Sequence, residues 1–414
     1  MTTLVARYAR GIAAASALAL GLTASPARLA GQNRNEAGWI TAWSTSHHTL
    51  GTTTISNATV RLIARVDASG SALRIRLDNP FGSAPLTIAS AYVGSRKQGA
   101  ALIPGSNRQV LFGAAAGVTI PVGGSVASDP VNMPVTAGED LAVSLYVPAL
   151  DVKPSQHTLG FTTSYLSAPA SGNVAADERR DAFTENTTSL FWLKAIDIRG
   201  SSSPGTIVAF GDSITDGNCS TVDGHDRWVD WLSVQFDMVD GAAGKSRKAI
   251  VNEGISGNTI GRQGLQPPPD SPPGLERLDR DVLSHQGVTD VILFMATNDI
   301  RRESTAAQVI AGLTEITTRI KARGPRVIGV TIIPRHNNTT NSPWDAKKSA
   351  IRREVNKWIR ERAPFDGVID FDAVVRDPAD ADRIRPVFNC DEIHPTPLGY
   401  YEMGRSVPLS LFRR

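Results

Sequence analysis

The run Thr206-Ile207-Val208-Ala209-Phe210-Gly211-Asp212-Ser213-Ile214-Thr215-Asp216-Gly217 decides the fold of this chain. Its first five residues carry no charge and read as a short strand buried on both faces. Gly211-Asp212-Ser213 then punctuates the strand and turns it toward a helix. Working outward, Ile250-Val251, Val291 to Phe294, Val327 to Ile333 and Val368 to Phe371 repeat the short apolar strand. Between and after them, Arg227 to Val239, Thr305 to Lys321, Ala346 to Arg362 and Pro397 to Leu411 have helical spacing, the second ended by Gly324-Pro325. Five strands alternating with helices predict a doubly wound α/β domain, where ligands bind beyond the carboxyl ends of the strands. The Pro-rich piece Gln266 to Gly274 reads as a surface loop.

Upstream the period changes. From about Gly38 to Ile198 apolar residues recur every second position, as in half-buried strands. Thr59 to Val66, the turn cluster Asp67 to Ser71 and Leu73 to Leu77 read as a hairpin. Leu141, Val143, Leu145 and Val147 share one face of a later strand. Short strands with Gly, Pro and Asn punctuation predict an antiparallel β-sandwich. A polar linker between Asp197 and Gly205 divides the chain into 31–200 and 201–414. Residues 1–30 have the form of an export signal: Arg7 and Arg10, an uncharged run from Gly11 to Ala24, then small residues around Ala27 and Ala30. That run, of about 14 residues, is shorter than the roughly 20 a spanning helix needs.

Composition narrows the classes. The chain has 414 residues, 41% of them apolar, enough for packed cores. Its 43 basic residues exceed its 40 acidic ones by three, and cleavage after Ala27 removes two arginines. No charge argument for a nucleic-acid partner survives. Two cysteines exclude a disulfide-dense miniprotein and a four-cysteine zinc module.

Four blocks with chemical content follow strands or precede the last helix: Gly211-Asp212-Ser213, Asn252 to Asn258, Ala296-Thr297-Asn298-Asp299, and Asp391-Glu392-Ile393-His394. A serine hydroxyl needs an adjacent base to act as a nucleophile. Ser213 is the candidate nucleophile, His394 the base, and Asp391 the group holding the imidazole tautomer. The backbone amides of Ser213 and Gly257 and the side-chain amide of Asn298 are candidate oxyanion donors. Taken singly, each has an ordinary reading. Ser213 or Asp212 could cap a helix, Gly257 could serve a turn, Asn298 a turn or cap, and His394 could be a satisfied surface histidine.

Taken together the blocks resemble the SGNH or GDSL hydrolases. Gly211-Asp212-Ser213 is similar to the nucleophile block, Gly257 to the glycine block, Asn298-Asp299 to the asparagine block, and Asp391 with His394 to the terminal D-x-x-H block. The resemblance covers roughly Thr206 to Leu411. It implies a flavodoxin-like α/β/α fold and carboxylic-ester hydrolysis through an acyl-serine. One departure is Ala296, where the asparagine block usually has glycine; an added methyl crowds the strand end or narrows the acyl pocket.

The first half resembles a two-domain subgroup through Trp39 to Trp43, Arg74 to Gly82 and Ser128-Asp129-Pro130-Val131. Asp279-Arg280-Asp281 and Val355 to Arg360 fit it as well. That subgroup includes xylanase-associated and carbohydrate esterases with a β-sandwich, jelly-roll-like, ahead of the hydrolase.

If the blocks converge, Cys219 and Cys390 lie near one another, and an exported chain permits a disulfide there; two buried free thiols are the alternative. His47-His48 and His225 with Asp226 lack the spacing of a metal site, and a serine mechanism needs no metal or other cofactor. Trp228 and Trp231, three apart, read as core; Trp39 and Trp43 fit packing or a sugar platform.

The expectation is an exported esterase, periplasmic or extracellular, acting on a small-molecule or polysaccharide ester, with short acyl groups on a carbohydrate foremost. It takes no nucleic acid and no stable membrane insertion, and sequence does not address its oligomeric state. A lipase or aryl esterase for longer chains, and a non-catalytic carbohydrate-binding protein, are the alternatives.

Overall fold

The computed structural model describes residues 36–244, 246–262, 264–338 and 343–413. The expected signal, residues 1–30, lies outside them.

The first half is an antiparallel sandwich. One sheet runs Trp39–Ser44, Leu193–Arg199, Ala72–Asp78, Ser125–Ala127. The other is built around Ala58–Arg65, Asp140–Val147 and Ser90–Gln98. Their inner faces share one core, to which Val60, Leu62 and Ala64 contribute from one sheet and Leu73, Ile75 and Leu77 from the other. Leu141, Val143, Leu145 and Val147 all point into it, as their alternation predicts.

The hairpin expected of Thr59–Val66 and Leu73–Leu77 is not formed. Ala58–Arg65 pairs with Asp140–Val147 and Ser164–Ser167, whereas Ala72–Asp78 pairs with Leu193–Arg199 and Ser125–Ala127. The connection crosses between sheets: Val66 N–H donates to Glu139 O on one side, and Ser71 N–H to Arg199 O on the other. Alternation shows that a strand has an inner face. Both sheets of a sandwich need such strands, so the pattern does not say which sheet a strand joins.

The second half carries five parallel strands: β1 (Thr206–Gly211), β2 (Ala249–Gly254), β3 (Val288–Phe294), β4 (Arg326–Val330) and β5 (Gly367–Ile369). Their order is β2-β1-β3-β4-β5, the flavodoxin-like arrangement. On β1, Ile207 and Ala209 enter one apolar layer while Val208 and Phe210 enter the other. Helices α1 (Ser213–Asp216), α2 (Trp228–Phe236), α3 (Gly274–Leu278), α4 (Thr297–Arg301), α5 (Ala306–Lys321), α6 (Ala346–Glu361), α7 (Phe371–Val375) and α8 (Pro397–Ser406) complete the domain. Leu232 and Met403 cover one face, Leu313 and Val355 the other. Thr305, Asp345 and Thr396 cap α5, α6 and α8 with side-chain oxygens.

Three boundaries differ from the periodicity. The fourth strand stops at Val330, and Ile332 N–H is taken by the Asn356 side chain rather than by a neighbouring strand. Phe371 opens α7 instead of closing β5. The last helix stops at Ser406, because Pro408 holds Val407 in an extended conformation, and Leu409–Leu411 forms a separate 3₁₀ turn. Trp228 is fully buried and Trp39 nearly so, with the Arg74 and Arg199 guanidiniums over its ring.

The two halves close on each other along a polar seam. Thr206 Oγ1 donates to Thr41 O at 2.8 Å, Arg247 reaches Asp67, and Lys194 Nζ lies 3.2 Å from Glu253 and 2.8 Å from Asp281. Among the described residues no helix is long and apolar enough to cross a membrane.

Candidate active site

The carboxyl end of β1 makes the first wall. Asp212 caps α1, its Oδ1 accepting Ile214 N–H at 3.0 Å, so the structure assigns the capping role to Asp212 and leaves Ser213 Oγ for other work. His394 Nε2 lies 2.8 Å from Ser213 Oγ, and His394 Nδ1 2.7 Å from Asp391 Oδ2. With Nδ1–H donating to the carboxylate, Nε2 is left to accept the serine proton. Asp391 Oδ1 also accepts the backbone amides of His394 and Ile393, at 2.7 and 3.1 Å. Burial alone raises the pKa of Asp391, but the hydrogen bonds and charge of His394 outweigh it and hold the group at about 2.

Two links bring these segments together across 181 residues. Cys219 and Cys390 form a disulfide, and Tyr400 Oη donates to Asn218 O at 2.7 Å. Cys390 N–H donates to His394 O, so the bridge acts on the same tight turn that presents the imidazole.

The glycine and asparagine blocks form the opposite wall. Gly254 packs so closely on α1 that a Cβ there would lie 2.2 Å from Asp216 N, and Gly257 has φ +75°, a conformation suited to glycine. Asp216 Oδ2 accepts Ser256 N–H at 2.9 Å, which ties the loop bearing Gly257 to the helix bearing Ser213. Asn298 Nδ2 donates to Asn258 O at 3.1 Å, and Asp299 accepts Ile260 N–H at 2.9 Å, which ties α4 to the same loop. The three candidate oxyanion donors therefore sit on elements joined directly by hydrogen bonds. Asn298 keeps a second amide proton for a ligand.

Ala296 adopts φ +113°, a conformation that costs a non-glycine residue about 1–3 kcal/mol. Its methyl lies in the apolar layer with Ile300 and Val309. Asp212 and Asp299 are buried acids on this edge. Burial pushes Asp299 up to about 8 and Asp212 to about 6; the charge of Asp212 adds to the rise of Asp299 and that of Asp216 to the rise of Asp212, while the Ile214 amide, His394 and Arg335 partly restrain Asp212.

Cys219, Asp391 and His394 are the described residues that come near enough together to hold a metal. They are a sulfur already in a disulfide and the acid and base that face Ser213. His47 pairs instead with Asp78, and His225 lies 3.9 Å from Asp140.

The loop Gln266 to Gly274 is held by Arg302, which donates to Pro268 O at 2.7 Å, and by Asn258, which donates to Pro272 O at 2.8 Å. Sequence reading missed Asp216, Arg277 and His157. Asp216 lies three residues after Ser213, within the run Thr206 to Gly217, and could have been noticed there. Arg277 donates to Gly211 O, Glu253 O and the Asn258 side chain, and so joins the carboxyl ends of β1 and β2. No local pattern marks Arg277 or His157.

Residues 209–401 match the GDSL-like Lipase/Acylhydrolase family. Comparison with curated proteins gave no match. Solved structures similar to this chain include a lipolytic protein of the G-D-S-L family from Veillonella parvula, 22% identical with TM-score 0.35, covering 49% of this chain and 94% of its own. A carbohydrate acetylesterase from Sinorhizobium meliloti is 17% identical with TM-score 0.37, covering 49% and 95%. An acetylxylan esterase from Geobacillus stearothermophilus is 19% identical with TM-score 0.36, covering 49% and 92%. Residues 209–401 form a domain of the GDSL-like lipase/acylhydrolase family, which makes the chain a carboxylic ester hydrolase.

Proposed function

We propose that this protein is an exported serine esterase that removes short acyl groups, acetyl foremost, from a carbohydrate or related natural product. The observation that carries the mechanism is the chain Ser213 Oγ, His394 Nε2, His394 Nδ1, Asp391 Oδ2, with both gaps under 3 Å. Ser213 Oγ attacks the acyl carbon while His394 takes its proton. The tetrahedral oxyanion is met by the amides of Ser213 and Gly257 and by Asn298. Collapse expels the alcohol, protonated by His394, and leaves the acyl group on Ser213. Water then repeats the attack with His394 as base, which frees the acid and restores the serine.

Export is supported by the form of residues 1–30 and by the disulfide, which persists in oxidising compartments. The short acyl group and the carbohydrate rest on the resemblance of the first half to sandwich-bearing carbohydrate esterases.

Turnover of nitrophenyl acetate by the wild type should fall by about 10⁴-fold or more in Ser213→Ala. Equal rates would leave only a binding protein. Faster turnover of octanoyl than acetyl esters would favour a lipase. Release of acetate from acetylated glycans, read by mass spectrometry, tests the substrate class.

A further inference from the structure

Asp216, the last residue of α1, has both carboxylate oxygens engaged inside the protein. Oδ2 accepts Ser256 N–H at 2.9 Å and lies 2.8 Å from Ser256 Oγ. Oδ1 lies 2.9 Å from His157 Nε2. His157 comes from the strand Ser155–His157, in a small three-stranded sheet of the first half beside the two sandwich sheets, and its Nδ1 lies 2.8 Å from Ser46 O, also in the first half. Both side chains are buried, so this contact between the halves is not a surface ion pair.

A carboxylate in that position has a specific problem. Burial favours its neutral form, which would take a proton and weaken its hold on an amide. Burial likewise lowers His157, yet the charge and hydrogen bond of Asp216, with the carbonyls of Ser46 and Leu159, together offset this and raise it, while Asp216 itself is held below its ordinary value. Both shifts favour the charged pair, imidazolium against carboxylate. His48, edge-on to His157 with ring centroids 5.3 Å apart, is held neutral by burial and adds no competing charge. The Ser256 amide thus binds an ionised acceptor, which makes a stronger and more directional hydrogen bond than a neutral one. That amide precedes Gly257.

We propose that His157, supplied by the first half, is a positioning residue for ester hydrolysis: through Asp216 it fixes the loop that aims the Gly257 amide at the oxyanion formed on Ser213. This rests on the reading of Gly257 as an oxyanion donor. It gives the first half a part in the chemistry without requiring it to touch substrate.

The test uses the full chain with His157→Phe, His157→Gln, Asp216→Asn and the double variant His157→Phe/Asp216→Asn. Each is assayed for kcat and KM on nitrophenyl acetate and for inhibition by phenylboronic acid, which forms a tetrahedral adduct on Ser213. Misaiming one donor predicts that kcat falls roughly 10- to 100-fold. Boronate affinity should fall in parallel and KM should change less than about twofold, because the donor acts on the tetrahedral state and not the ground state. His157→Gln, which keeps a neutral donor, should recover part of the loss. The double variant should be no worse than the poorer single one. Wild-type kcat and boronate affinity in both His157 variants, below their melting temperatures, would overturn the proposal. If His157→Phe does not fold, His157→Gln decides by the same two readouts. An inactive wild type would instead remove the esterase reading, which separates the two failures.

Discussion

Two histidine–aspartate pairs stand at different ends of the same short helix. His394 and Asp391 face Ser213 at its start, with the Asp391 side chain 45% exposed. His157 and Asp216 close its end in the seam between the halves, and both are buried. In the first pair the imidazole keeps one nitrogen for a reacting hydroxyl; in the second both nitrogens are engaged by internal oxygens. The same two side chains thus serve proton transfer where one partner is free to react and architecture where none is. Their carboxylates differ in consequence: that of Asp391 orients a base, and that of Asp216 orients a loop.

The contrast extends to two further buried acids. In the seam, burial alone would raise Glu253, but Lys194 and His285 more than offset it and the group is held below its ordinary value. Burial lowers His285, and the charge of Glu253 opposes that shift. At the catalytic edge burial and the charge of Asp212 outweigh the backbone amides that Asp299 accepts, and it rises.

The largest effect is expected at the exposed pair. Asp391→Asn keeps the shape but presents the wrong tautomer of His394, and kcat should fall about 10⁴-fold. Circular dichroism should stay unchanged. Retention of activity would place the two pairs in the same structural class.

The next effect concerns what holds the edge together. Unlike the seam, the Ser213 and His394 segments are joined covalently, across a loop of 171 residues. Replacing Cys219 and Cys390 by serine should cost about 2–5 kcal/mol, read as the urea midpoint. Activity should fall with it, and an unchanged midpoint would deny the bridge a stabilising role.

The last effect is a dependence on pH, spread over several units. Asp299 titrates at about 8 in the fold and near 3.8 in the unfolded chain, so between those values the folded state keeps a proton that the unfolded state has lost. Its contribution is most favourable below about pH 4 and declines by at most about 1.4 kcal/mol per pH unit toward 8. Glu253, held below its ordinary value, works in the opposite sense and loses its contribution at acid pH. Urea unfolding of Asp299→Asn between pH 5 and 8 should show a flatter pH profile than the wild type. The same slope in both would mean that Asp299 is ionised in the fold.

Much of the catalytic edge was legible because parallel α/β folding turns sequence order into position. A residue just after a strand must lie at the sheet's carboxyl edge, so Ser213, Gly257 and Asn298 could be placed from their blocks. His394 required a longer step, since it precedes a helix and is brought to Ser213 by the disulfide and Tyr400. The sandwich was legible as strands but not as pairings, as Ala58–Arg65 and Ala72–Asp78 demonstrate. Ala296 was legible as a departure; that its backbone retains φ +113° despite the methyl was not.

By itself the sequence determined element type, the order of the strand-end blocks and the residue types that ester hydrolysis needs. These follow from local periodicity and from chemistry that does not depend on the partner. Only the tertiary structure decided which sheet each sandwich strand joined, and that Lys194 and His157 meet Glu253 and Asp216 across the seam. A buried charge has no local signature: what keeps it ionised is an opposite charge arriving from a distant part of the chain, and that meeting exists only in the folded protein.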